Sequence, residues 1–207
     1  MLVDTERWYF EATRTVLAHL GIELSLAVYL ELNTAGRSNW DLARARGVDE
    51  HNVQRHRAER NALYQEFLRS QPIEIAGVKE VLAELAPRHR MAIVTTARRS
   101  DFELIHAERD LLGHFEFVLT VDDYARSKPH PAPYLAALAR LGAEPHETIA
   151  IEDSTRGLKS ARAAGIPCVV IRSSLTASEE FPEAWRVVDS ISEIPRVLVG
   201  EPSLGCD

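Results

Sequence analysis

The chain has 207 residues, of which 24 are Lys or Arg and 31 are Asp or Glu, giving a formal charge of −7. Such a surplus of carboxylates argues against nucleic acid as the main partner, because phosphate backbones are bound by clustered positive charge. With 45% hydrophobic and 27% charged residues, the composition is that of a folded globular protein and excludes disorder as the dominant state.

The longest apolar runs, such as Ile166-Pro-Cys-Val-Val-Ile171, fall far short of the ~20 residues that a membrane-spanning helix needs. The opening Met1-Leu-Val-Asp-Thr-Glu6 places acids where a signal peptide carries basic and then apolar residues. The expected location is the cytoplasm. Cys168 and Cys206 are the two cysteines. They are too few for a disulfide framework or a thiolate metal site, which fits a reducing compartment. The eight histidines are scattered, with no zinc-like spacing. Lysine is used at only three positions, 79, 128 and 159.

From Glu6 to about Ser70 the apolar residues recur at helical spacing, as in Trp8, Phe10, Ala12, Val16, Leu17 and Leu20. Four helices are expected there. Gly21 ends the first, Ser25 caps the second, Ser38 precedes the third and Asp49 opens the fourth. Within the fourth, Arg55-His-Arg-Ala-Glu-Arg60 is mixed in charge and is expected to be a solvated face. Gln71 to Gly77, broken by Pro72, is a connector.

Beyond Gly77, short β-branched runs alternate with amphipathic helices. The runs are Ala92–Thr95, Phe117–Thr120, Thr148–Ile151, Cys168–Ile171 and a weaker Arg186–Asp189. Helices are expected at about 78–86, 101–112, 133–141 and 155–164. This alternation predicts an α/β fold, a Rossmann-like parallel sheet with helices on both faces, alongside the all-α segment. In such sheets the ligand crevice lies beyond the carboxyl ends of the strands. The last residues, Gly200–Asp207, are expected to be a tail.

Three features stand at those strand ends. Thr95-Thr96-Ala97 follows the first run, where a hydroxyl and backbone N–H groups at a helix start make an anion site. Lys128 follows the second, held by Pro129 and Pro131, and can neutralise a phosphate or crowded carboxylates. Glu152-Asp153-Ser154 ends the third. Two adjacent acids at a buried strand end need a compensating cation, and oxygen ligands of this kind suit Mg²⁺. A helix N-cap accounts for Asp153 but leaves Glu152 unexplained. Together these residues form a kit for phosphoryl transfer without a nucleophile.

Leu2-Val-Asp-Thr-Glu6, Gly36-Arg-Ser38, Ile93-Val-Thr-Thr96, Ser127-Lys-Pro-His-Pro131, Glu152-Asp-Ser-Thr-Arg-Gly157 and Ala163-Ala-Gly165 occur in one order along the chain. That order resembles the haloacid dehalogenase superfamily, in its phosphatase and β-phosphoglucomutase-like branch. The resemblance implies a core made of residues 1–6 and 73–199, a helical cap at 7–72, and a tail at 200–207. It implies that Thr95 binds the transferring phosphoryl group, helped by backbone near Thr96, and that Lys128 bridges that group and the nucleophile. Asp153 would ligate Mg²⁺ with Glu152 supporting it, and Arg37 would reach the substrate from the cap. The implied partner is a small phosphorylated substrate, with no nucleic acid and no membrane, and the chain would be a monomer or homodimer.

The family's Asp-x-Asp, which supplies nucleophile and general acid/base, precedes the Leu-Val-Asp-Thr-Glu element and is not found here. The expectation is that it lies upstream of Met1, on a strand between those ending at Thr95 and Ile151. A phosphomutase and a catalytically inactive binding module are the alternatives.

Overall fold

The computed structural model describes residues 2–177 and 179–199, so the expected tail and Cys206 lie outside the described residues. The described residues divide into two compact units, one spanning Val3–Ile73 and one comprising Leu2 and the described residues from Glu74 to Val199.

The first unit is helical: α1 (Glu6–His19), α2 (Leu26–Thr34), α3 (Asp41–Ala45) and α4 (Glu50–Ser70). The short polar residues ahead of α2 and α4 cap them. Ser25 Oγ accepts from the Val28 N–H at 3.3 Å, and an Asp49 carboxylate oxygen accepts from the Asn52 N–H at 2.9 Å. Each satisfies a backbone donor that a helix start leaves without an intrahelical partner. Phe10, Val16, Leu17, Ile22, Leu24, Tyr29, Trp40, Ala43 and Val53 form the core of this unit.

The polar segment of α4 is not the solvated face that its charge pattern suggests. His56 and Arg60 are buried, because Val53, His56, Arg60, Tyr64 and Leu68 recur at helical spacing and share the inner face. The Arg60 guanidinium lies over the Tyr9 ring, 4.2 Å from its centroid, and donates to Asn61 Oδ1 at 3.0 Å and Thr13 Oγ1 at 3.3 Å. His56 Nδ1 lies 2.7 Å from the Asn52 carbonyl oxygen. Ring and neutral acceptors thus take the place of water around a buried cation.

The second unit is α/β. Its elements are α5 (Val78–Leu85), β1 (Ala92–Val94), α6 (Arg99–His106), β2 (Phe117–Leu119), α7 (Ala132–Leu141), β3 (Ala150–Glu152), α8 (Thr155–Ala163), β4 (Cys168–Ile171), β5 (Arg186–Val188) and α9 (Ile194–Val199). All strand pairs are parallel. β4, a continuous apolar run buried throughout, lies between β3 and β5. Its pleat divides the packing in two. Val169 and Ile171 join α5 and α9, whereas Cys168 and Val170 join α7 and α8.

Two findings go beyond the sequence pattern. α9 follows a reciprocal cap in which Glu193 Oε1 accepts from the Ser190 N–H at 3.0 Å, the Ser-x-x-Glu signature of a helix start. And the parallel strands form two pieces, β1 with β2, and β3 with β4 and β5. Among the described residues no helix is long and apolar enough to cross a membrane.

On α6, His106 is buried against Phe102, ring centroids 4.4 Å apart. Burial, with Arg109 nearby, pushes its pKa down to about 4, against about 6.5 for an exposed imidazole. The unfolded chain therefore binds the extra proton first as pH falls. Stability is expected to be complete above pH ~6.5 and to decline progressively toward pH ~4 through this group. Urea midpoints across that range should fall for the native chain and more shallowly for His106→Phe; parallel curves would remove this assignment.

Candidate active site

β1, β2 and β3 each end in a segment carrying candidate chemistry. β1 leads into Thr95, whose Oγ accepts from the Ala97 N–H at 3.1 Å. That bond folds the turn back on its own hydroxyl, an ST-type local bond that shapes the start of α6. The Thr95 carbonyl in turn accepts from the Tyr124 hydroxyl at 2.7 Å, which ties the segment after β2 to the turn after β1. Thr95 and Thr96 are both half-buried.

The segment carrying Lys128 is braced from α8 and from within. Buried Ser160 donates its hydroxyl to the His130 carbonyl at 2.7 Å, and the Ala132 N–H donates to His130 Nδ1 at 3.1 Å. The Lys128–Pro129 peptide is cis. From this segment the Lys128 ammonium donates to the Val94 carbonyl, the last of β1, at 3.0 Å and to Glu152 Oε1, at the end of β3, at 2.5 Å. One cation thus joins the two strand pieces at their carboxyl ends.

Glu152 points inward because it shares with Ala150 the pleat face turned toward α7 and α8. Its carboxylate also accepts from the Tyr134 hydroxyl on α7. Lys128 and Glu152 side chains are only 9% and 6% exposed, so each charge depends on the other. On the third side stands Gly157, in the first turn of α8. A Cβ built there would lie 2.0 Å from Glu152 Oε2 and 2.2 Å from Cδ. Only a residue without a side chain fits beside this carboxylate.

Asp153 is half-buried at the end of β3. Burial works against its ionisation, and the Lys128 charge works in its favour. The N-cap of α8 is Ser154, whose Oγ accepts from the Gly157 N–H at 3.1 Å, so neither acid is spent on capping. Thr176 Oγ1 donates to the Asp153 carbonyl at 3.3 Å and accepts from the Ser173 N–H at 3.0 Å, fastening the loop after β4 to the loop after β3.

The fold therefore brings Thr95, Lys128, Glu152 and Asp153 together in one unit. Arg37 belongs to the helical unit, with a side chain 62% exposed and 3.9 Å from Asp41. Sequence reasoning missed Tyr134, whose only signal is a tyrosine on the inner face of the helix that follows Lys128. It also missed Thr176, which has no local signal at all. Burial pushes the Cys168 thiol well up, so it is an inert core residue.

Among the described residues no three His, Cys, Asp or Glu side chains cluster as a metal cage. Mg²⁺ needs no such cage. It binds through one or two carboxylates together with water and phosphate oxygens. Asp153, an anionic oxygen donor at a strand end, fits that chemistry. Glu152 Oε1 is held by Lys128 and Tyr134 and fits an indirect role.

The family model for haloacid dehalogenase-like hydrolases matches residues 1–171. Fructose-1-phosphate phosphatase YqaB of Escherichia coli is 29% identical over 177 residues, covering 83% of this chain and 91% of the relative. Protein CbbY of Rhodobacter capsulatus is 33% identical over 190 residues, covering 88% of this chain and 79% of the relative. Among solved structures, a variant of CbbY from Rhodobacter sphaeroides in complex with xylulose-(1,5)bisphosphate superposes with a TM-score of 0.77 at 26% identity. The match covers 93% of this chain and 91% of that one.

Two outcomes follow from the buried pair. Lys128→Met leaves Glu152 buried without its cation and should cost about 3–5 kcal/mol in chemical denaturation, with much of this recovered in Lys128→Met/Glu152→Gln. Gly157→Ala, which in an ordinary helix stabilises by about 1 kcal/mol, should here destabilise by about 1–3 kcal/mol through overpacking against a carboxylate that cannot swing away. A gain in the midpoint on Gly157→Ala would show that Glu152 is free to move.

Proposed function

The chain belongs to the haloacid dehalogenase-like hydrolase family, and on that premise we propose that it is a Mg²⁺-dependent phosphatase of small phosphorylated metabolites, of the sugar phosphate or phosphoglycolate type. The observation that carries the reading is the Lys128 ammonium bonded to both the Val94 carbonyl and Glu152. It sets a positive charge between the ends of β1 and β3, at the carbonyl of the residue before Thr95.

In this reading the Thr95 hydroxyl and the Thr96 N–H hold the phosphoryl oxygens, the Ala97 N–H being given to Thr95 Oγ. Lys128 offsets the charge that accumulates as the bond to the leaving alcohol breaks. Asp153 holds Mg²⁺ with Glu152 in support, and the ion when bound supplies further neutralisation of phosphate charge. An aspartate on a segment upstream of Met1 attacks phosphorus, expels the alcohol and forms an aspartyl-phosphate that water then hydrolyses. The separation of β1–β2 from β3–β5 supports a position for that segment between β1 and β3. The helical unit acts as the cap that selects substrate, with Arg37 as its contact. The names of the relatives, a fructose-1-phosphate phosphatase and a protein crystallised with a ketose bisphosphate, support sugar phosphates as the first substrates to try.

The test compares the 207-residue chain with one extended by the in-frame upstream segment, assayed with Mg²⁺ for phosphate release from sugar phosphates and phosphoglycolate. The extended chain should turn over, and the 207-residue chain should be slower by on the order of 10⁶, as when a nucleophile is removed. In the extended chain Lys128→Ala and Asp153→Asn should each lower kcat by at least about 10². Full activity in both variants would overturn the site assignment. An upstream segment without an Asp-x-Asp would favour a binding module instead.

A further inference from the structure

Tyr134 contributes to no step of that reaction, yet it touches the residue on which Lys128 depends. It stands in the first turn of α7 and is buried. Its hydroxyl donates to Glu152 Oε1, the same oxygen that receives the Lys128 ammonium at 2.5 Å. The Lys128 Nζ also sits 5.0 Å from the centre of the Tyr134 ring. The phenol thus contacts both members of the ion pair, the carboxylate through its O–H and the ammonium through its ring.

We propose that Tyr134 is a positioning residue for Lys128: its hydroxyl fixes the rotamer of the Glu152 carboxylate, and that carboxylate aims the ammonium at the end of β1. A carboxylate oxygen has room for two donors, and here both are supplied by α7 and the segment that leads into it. With Gly157 closing the other side, Glu152 has one orientation that satisfies every contact. Removing the hydroxyl leaves packing intact but lets the carboxylate rotate about its terminal torsion, which is broad in the absence of a hydrogen bond. The ammonium then follows the carboxylate. The buried O–H donates to that oxygen, and a hydrogen bond to a buried carboxylate holds it against rotation.

This inference rests on the reading of Lys128 as the phosphate-facing cation, and the experiment separates the two. Because lysine occurs only at 79, 128 and 159, a chain labelled with [¹³C]lysine gives three sets of side-chain NMR signals. The set lost in Lys128→Ala belongs to Lys128. In Tyr134→Phe, which keeps the ring, the Lys128 Cε–Hε signal should shift and its relaxation should report greater mobility, while Lys79 and Lys159 stay in place. Glu152→Gln should move the same signal. A Lys128 signal unchanged in Tyr134→Phe overturns the inference. Should that variant fail to fold, an unchanged Lys128 signal in Glu152→Gln overturns it equally. Inorganic phosphate added with Mg²⁺ forms the separate arm. If it leaves Lys128 unmoved in the chain extended by the upstream segment while Tyr134→Phe moves it, the phosphatase reading falls and the positioning role stands.

Discussion

Everything at the carboxyl end of the sheet depends on one buried ion pair. A carboxylate taken out of water at the end of β3 is unfavourable by several kcal/mol unless a cation and further donors meet it. Here Lys128 and Tyr134 both reach Glu152 Oε1. The same ammonium takes the Val94 carbonyl, so a side chain links β1 and β3 where backbone pairing links neighbouring strands elsewhere. The stiff Lys-Pro-His-Pro segment makes that possible, since an ammonium on a mobile loop would lose much of its Coulomb gain to side-chain entropy.

Around this pair the loops are fastened to one another by hydroxyl groups. Tyr124 ties the loop after β2 to Thr95, Ser160 ties α8 to His130, and Thr176 ties the loop after β4 to Asp153. Each bond joins segments distant in sequence and satisfies a backbone carbonyl that is outside any strand ladder. Rigid loops at the strand ends matter for phosphoryl transfer, in which little covalent work falls to the protein and rate comes from groups held in place before the charge develops.

Much of this was legible in the sequence. The helical unit announced itself by apolar spacing and by Ser25 and Asp49 at helix starts, because capping is decided within three residues. The strands were legible as β-branched runs, and the parallel arrangement as their alternation with helices. The misreading of Arg55–Arg60 has a physical cause. Charge pattern speaks for solvent, but every third or fourth residue of α4 faces inward, and Tyr9 and Thr13 from α1 accept a guanidinium there. No property of the α4 sequence alone reports what α1 offers.

Residue types and their order by themselves determined the α/β class, the helical segment, and the placing of Thr95, Lys128, Glu152 and Asp153 at strand ends. These follow from local propensity and period, which act over a few residues. Only the tertiary structure decided which acid Lys128 neutralises. The pleat of β3 turns Glu152 toward α7 and α8, where Tyr134 and Gly157 enclose it, and leaves Asp153 half-buried at the strand end. That choice is made by contacts between elements far apart in the chain, because a buried charge settles where several distant groups can satisfy it at once.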